Sequence, residues 1–263
     1  MSIIETRSLT RKYGEFVAVD SLSLTIEKGE VFGLLGPNGA GKTTTIKMLV
    51  TLLPPTSGSA EVAGYRVGKD DKRIRGAIGY IPQMLSAEGS LTGYENLLIF
   101  SKLYGIPKSV REDRIRKALG LMGLSEAADR LVRTYSGGMV RRLEIAQAAL
   151  HRPAIMFMDE PTVGLDPVAR RAVWDLIDEL RSEFDATILL TTHIMEEAQT
   201  LCDRVAIMHN GKLAAIGRPG DLMREVGASN LDEVFIHYAG ETIEVAGSFK
   251  DIQRERKTAR RLG

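Results

Sequence analysis

One cysteine, Cys202, stands in a chain of 263 residues. No internal disulfide can form, so a reducing compartment suits the chain and a secreted disulfide scaffold does not. Its simplest reading is a small buried apolar group. Four histidines, His151, His193, His209 and His237, are scattered without close cysteine or histidine neighbours. That excludes the spacing of a structural zinc site and leaves oxygen ligands for any metal. No apolar run nears the roughly 18 residues that a membrane-crossing helix needs. The first eleven residues lack the basic-then-apolar order of a secretory leader. Charge of one sign is also missing: 35 basic and 34 acidic residues leave a formal net charge of +1, too small for a general nucleic-acid binder. No internal repeat or low-complexity tract is present.

What is present is the balance of a soluble globular protein, 44% apolar and 26% charged, on a length that suits one large domain or a domain with a sizeable insertion. Leu22, Leu24 and Ile26 alternate with Ser23 and Thr25, the period of a strand with one wet face. Val31 to Leu35 is instead continuously apolar, as a parallel strand covered on both faces must be. Similar runs at Ile155 to Met158, Ile188 to Leu190 and Val205 to Met208, with helical stretches between several of them, predict a wound α/β core. From about Ser90 to Leu150 helix starts accumulate, with capping boxes expected at Thr92 to Glu95 and Ser109 to Glu112. A helix is predicted over Val168 to Glu183, capped by Asp166 with Pro167 in its first turn. Asn210-Gly211 predicts a hairpin turn. Lys250 to Gly263 reads as a charged, frayed tail.

The chemistry begins with Gly36-Pro37-Asn38-Gly39-Ala40-Gly41-Lys42-Thr43, placed directly after the buried strand and before a helical run from Thr44 to Leu53. Its glycines let successive backbone N–H groups turn inward toward a phosphate, and the following helix adds its positive end. Lys42 would reach the β- and γ-phosphates and the Thr43 hydroxyl would ligate magnesium. No Asn-Lys-x-Asp stretch is present to select guanine. Asp159 and Glu160 leave another buried strand at the end where parallel sheets build sites. Asp159 would hold magnesium through water, and Glu160 would accept a proton from the attacking water. Ser136-Gly137-Gly138 opens a second helix able to bind an anion, although one nucleotide does not need two cradles in one protomer.

The phosphate loop, Gln83, Tyr135-Ser136-Gly137-Gly138-Met139, Asp159-Glu160, Gly164-Leu165-Asp166 and His193 stand in the order found in ATP-binding cassette ATPases, and the resemblance spans about Ile3 to Gly217. It implies a P-loop NTPase core of mainly parallel sheet with an antiparallel β subdomain and an inserted helical subdomain. It implies an ATPase domain over residues 1–220, with the helical insertion at about 86–150. Residues 221–263 would form a C-terminal extension with the charged tail. ATP and Mg²⁺ are the implied ligands, and the residues from Gly36 through Thr44 would bind the nucleotide.

Other positions carry over singly. Tyr13 resembles the aromatic that stacks on adenine, or is a surface tyrosine. Gln83 resembles the glutamine that reaches magnesium and water, and His193 resembles the histidine that contacts the γ-phosphate. Asp166 resembles a dimer-contacting aspartate, or simply caps its helix. Ser136, Gly137 and Gly138 would touch the nucleotide of the opposing subunit. The partner subunit is then a second copy or a related ATPase, and an integral membrane permease carries the transported substrate. No nucleic-acid partner is expected. The chain is expected to be cytoplasmic, peripheral on the inner face of the cell membrane through that permease.

The family's signature most often reads Leu-Ser-Gly-Gly-Gln, whereas Tyr135 and Met139 flank the intact centre here. With Leu231 to Gly240, this variant is similar to drug and antibiotic-resistance exporter ATPases; that last segment reads equally as an amphipathic helix packed on its own core.

Overall fold

The protein is described by a computed structural model covering residues 1–240. The expected tail from Lys250 lies outside the described residues. The chain opens on a long hairpin, β1 (Ser2–Tyr13) and β2 (Phe16–Glu27), and runs through β3 (Val31–Leu35) into α1 (Lys42–Leu49). A second hairpin, β4 (Ser57–Val62) and β5 (Tyr65–Arg66), precedes α2 (Asp71–Ala77) and β6 (Ile78–Ile81). Three helices follow: α3 (Gly93–Leu103), α4 (Lys108–Leu121) and α5 (Gly137–Ala149). Strands and helices then alternate through β7 (Ile155–Asp159), α6 (Pro167–Phe184), β8 (Thr187–Thr192), α7 (Met195–Leu201) and β9 (Arg204–His209). The described chain finishes with β10 (Lys212–Gly217), α8 (Pro219–Val226) and α9 (Leu231–Gly240).

The strands form two sheets. One is antiparallel, in the order β2-β1-β4-β5. The other has six strands in the order β10-β9-β3-β8-β7-β6, parallel throughout except for the β9–β10 hairpin. That hairpin turns at Asn210 and Gly211, both at positive φ (47° and 77°), as a two-residue turn requires.

The continuous apolar runs follow from burial on both faces of the larger sheet. Along β3, Val31 and Leu35 face the helices while Phe32 and Leu34 face α1 and the antiparallel sheet. Along β7, Met156 and Met158 take the helical side and Ile155 and Phe157 the other. Every position is therefore apolar, and each such side chain contributes about 1.5–3 kcal/mol by leaving water. In the second half of β2, Leu22, Leu24 and Ile26 are buried, and the residues between them face solvent.

Local signals held unevenly. The capping box at Thr92 is complete: its hydroxyl accepts from Glu95 N at 3.1 Å, and Glu95 Oε2 accepts from Thr92 N at 2.8 Å. The box expected at Ser109 is absent. Pro107 precedes α4 there, the helix begins at Lys108, and Glu112 turns to the Tyr94 hydroxyl and Arg116. A carboxylate with a phenol and a guanidinium within reach is better satisfied than one folded back on a solvated amide. The helix after the phosphate loop also differs, starting at Lys42 and ending at Leu49, because Thr51 takes a left-handed φ of 64°. Cys202 is buried, which pushes its thiol pKa well up. Leu231 and Val234 of α9 are buried in the main core while Ile236 is exposed, the pattern of an amphipathic helix resting on its own domain.

Candidate active site

The parallel register delivers four segments to one edge of the larger sheet. Leu35 pairs with Thr192, Asp159 with Thr191, and Ile81 with Met158. The residues that come next, the loop from Gly36, then His193, Glu160 and Gln83, leave the strands together at their carboxyl ends.

The loop from Gly36 to Gly41 is irregular and feeds α1. Gly41 caps that helix at φ 103°, and a Cβ there would sit 2.5 Å from the Ala18 carbonyl oxygen. Only glycine fits both the dihedral and the space. Lys42 points back across the loop. Its Nζ donates to the Gly36 carbonyl at 2.8 Å and the Pro37 carbonyl at 3.2 Å, and lies 3.3 Å from Glu160 Oε1.

Asp159 Oδ1 accepts from the Thr43 hydroxyl at 3.0 Å and the Thr191 hydroxyl at 2.7 Å, while Oδ2 is buried without a partner. Glu160 has a left-handed backbone, φ 50°, a conformation costing about 1–3 kcal/mol in a residue with a side chain. Its N–H is held by Thr191, through the carbonyl at 3.1 Å and the hydroxyl at 2.9 Å. That turn lets the Glu160 carboxylate meet three groups. Gln83 Nε2 donates to Oε2 at 2.9 Å, and Lys42 Nζ and His193 Nδ1 each lie 3.3 Å from Oε1.

Asp159 and Glu160 are 1% and 5% exposed, and Lys42, also 5% exposed, is their nearby cation. Two buried carboxylates against one ammonium leave a negative excess, which is costly in a dry site. The excess reaches Tyr80 on β6, whose phenol is pushed up to about 12 by burial and then by the Asp159 charge. A divalent cation would offset it. The donor set fits magnesium: a carboxylate oxygen with an unused lone pair beside a threonine hydroxyl.

Three predicted contributors lie outside this cluster. Ser136 caps α5, its hydroxyl accepting from Met139 N at 3.3 Å, and Ser136 and Gly137 are exposed. Gly138 packs on α6, where a Cβ would come within 2.8 Å of the Ala169 side chain. Among the described residues, no hydrogen bond or ion pair joins this turn to the phosphate loop. Asp166 Oδ1 accepts from Val168 N and Ala169 N, each at 2.9 Å, so it does cap α6. Tyr13 ends β1 half-exposed, with the Arg11 guanidinium 4.7 Å from the ring centroid. Tyr135, the departure from the usual leucine, is a core residue whose hydroxyl donates to the Ala127 carbonyl at 2.6 Å.

Sequence reasoning passed over Thr191, which orients both carboxylates; its sign was a hydroxyl ending an apolar strand. It also passed over Arg141 and Glu144, two charges among the buried positions of α5.

A profile of the family described as ABC transporter matches residues 19–163. The daunorubicin/doxorubicin resistance ATP-binding protein DrrA of Streptomyces peucetius is 43% identical over 236 residues, 90% of this chain and 71% of its own length. The Nod factor export ATP-binding protein I of Ralstonia nicotianae is 40% identical over 233 residues, covering 89% of this chain and 72% of its own. A solved ATP-binding subunit of an ABC transporter superposes with a TM-score of 0.81 at 31% identity, over 90% of this chain and 99% of that one. With the phosphate loop, the carboxylate pair and the histidine converging at one sheet edge, the chain belongs to the ABC transporter family, as an ATP-binding and ATP-hydrolysing subunit.

Proposed function

We propose that the cluster around Glu160 hydrolyses ATP at the interface of two such chains and that the resulting opening and closing drives export through a separate membrane permease. The observation that carries this reading is the convergence of Gln83, Lys42 and His193 on one buried carboxylate. The loop from Gly36 to Thr44 cradles the phosphates, and Tyr13 offers a ring face to adenine. Magnesium, when bound, neutralises phosphate charge; Thr43, Asp159 and Gln83 are the residues that would hold it, Asp159 through water.

ATP's terminal phosphate competes with Glu160 for the Lys42 ammonium, which frees the carboxylate. Glu160 then takes a proton from water as the water oxygen bonds to the γ-phosphorus. The bond from that phosphorus to the β–γ bridging oxygen breaks, and ADP leaves with the electron pair. His193 orients the water and the γ-phosphate.

The exposed Ser136-Gly137-Gly138 turn, free of its own phosphate loop, suits the nucleotide of an opposing copy, with Asp166 at the same contact. A γ-phosphate touched from both sides gives ATP a higher affinity for the closed dimer than ADP has. In this reading the ATPase domain spans residues 1–220 with its helical insertion at about 86–150, and residues 221–263 form an extension. A cleft of about 570 Å³ between the turn after α1, α2, β6 and α3, lined by Leu52, Tyr80, Phe100, Leu103 and Tyr104 together with the charged Arg75, suits a largely apolar segment of the permease. The permease would hold the chain at the membrane surface; no described helix is long and apolar enough to cross one. Export is supported by the names of the relatives, one a drug-resistance protein and one a Nod factor export protein.

The test is Glu160→Gln with magnesium and ATP, followed by phosphate release and size-exclusion chromatography. Turnover should fall by about 10²–10⁴, and ATP should hold the variant as a dimer. Wild-type turnover in that variant would remove Glu160 as the base.

A further inference from the structure

We propose that Arg141 and Glu144 on α5 form a buried clamp that positions Gln83, and through it Glu160, from the same helix that begins at the Ser136-Gly137-Gly138 turn. The inference rests on the hydrolytic reading of Glu160 given above. It deepens that reading by assigning two positioning residues that do not touch substrate.

Both side chains are 2% exposed and stand three residues apart on one face of α5. Arg141 Nη1 donates to the Pro82 carbonyl at 2.8 Å and Nη2 to the Gln83 carbonyl at 2.9 Å. Glu144 holds the far end of the same loop: its Oε1 accepts from Ser86 N, from the Ser86 hydroxyl at 3.1 Å and from Ala87 N at 3.3 Å. The two charges meet at 3.0 Å, Nη1 to Oε2, an ion pair out of line for a hydrogen bond, so Oε2 keeps no hydrogen-bond partner. The segment from Pro82 to Ala87 is thus gripped at both ends, through backbone carbonyls on one side and amides on the other. Between the grips Met84 and Leu85 are pushed outward, 81% and 51% exposed.

Stability alone is a weak reason for such a pair. A buried ion pair rarely outperforms apolar groups of the same volume, because desolvation offsets the Coulomb attraction. Burial indeed lowers the Arg141 pKa, against the charges of Glu144 and Asp159. What a planar guanidinium supplies that an apolar side chain cannot is two directed donors, spaced for two consecutive carbonyls. Gln83 then reaches Glu160 Oε2 at 2.9 Å. A displacement of α5, whose first residues face the opposing copy, moves the Gln83 backbone with it. The clamp therefore connects the occupancy of one nucleotide site to the geometry of the base in the other.

The decisive variant is the double substitution Arg141→Met with Glu144→Leu, which removes both charges together and avoids the stranded charge that would unfold either single variant. Full-length protein with magnesium and ATP should melt near the wild-type temperature while kcat falls by about 10- to 100-fold and KM changes little. In a Gln83→Ala background the double substitution should cause no further loss, since the clamp acts through that residue. Wild-type kcat in the double variant, or a loss that multiplies with that of Gln83→Ala, overturns the proposal. Hydrogen exchange over residues 82–87 reads the clamp without turnover: faster exchange in the double variant supports it, and equal exchange overturns it. Failure of the unaltered chain to release phosphate would instead sink the hydrolytic reading, with the exchange result still standing.

Discussion

A hydrogen bond of 2.9 Å runs from Gln83 Nε2 to Glu160 Oε2, joining the loop after β6 to the strained turn after β7. The other oxygen of that carboxylate faces Lys42 and His193. Gln83 thus sits where a shift of its loop changes the orientation of the base without touching the phosphate loop. Replacing Gln83 by Ala should lower kcat by about tenfold or more and raise KM for ATP by less, since Thr43 and Asp159 still hold the magnesium. An unchanged kcat, with steady-state phosphate release as the measure, would reduce Gln83 to a loop residue.

Asp166 has one observed task and one proposed task, and the two separate by substitution. Its Oδ1 caps α6 through Val168 N and Ala169 N. Asp166→Ala should cost about 1 kcal/mol, a drop of about 2–4 °C in melting temperature. Asn caps helices as well as Asp, so Asp166→Asn should restore the melting temperature. If Asn also restores ATP-dependent dimerisation of the Glu160→Gln variant, the carboxylate charge has no part in the dimer contact.

His151 predicts a pH dependence of stability. Its Nε2 lies 3.0 Å from the Ile78 carbonyl and its ring stacks on Tyr104, centroids 3.7 Å apart. Burial lowers its pKa from the ordinary 6.5, and the Ile78 carbonyl opposes this only in part. In acid the unfolded chain takes the proton first, so the stability contributed by the neutral ring is present above the ordinary value and lost as pH falls through the folded one. Melting temperature should therefore decline below about pH 6.5, and His151→Phe should flatten the decline. Parallel curves for the two proteins would assign the acid sensitivity to other groups.

The sequence announced its parts wherever a task needs adjacent residues. The run Gly36 to Thr43 is legible because a phosphate is wrapped by consecutive backbone amides, and Asp166-Pro167 because a cap acts within one turn. The two-sided burial of β3 and β7 is equally local, since alternate residues face opposite layers and all must be apolar. The same locality misled at Ser109. There the spacing of a capping box was present, but Tyr94, fifteen positions earlier, took the carboxylate that would have closed it.

The sequence by itself determined a nucleotide-binding α/β protein with Glu160 beside Asp159 at a strand end. Only the tertiary structure decided that Lys42, Gln83 and His193 share one carboxylate, that Thr191 orients the pair, and that Arg141 and Glu144 hold the loop of Gln83 at both ends. Those contacts depend on which parallel strands are neighbours, and strand order is set by how whole layers bury their apolar faces, a property that no single stretch of residues contains.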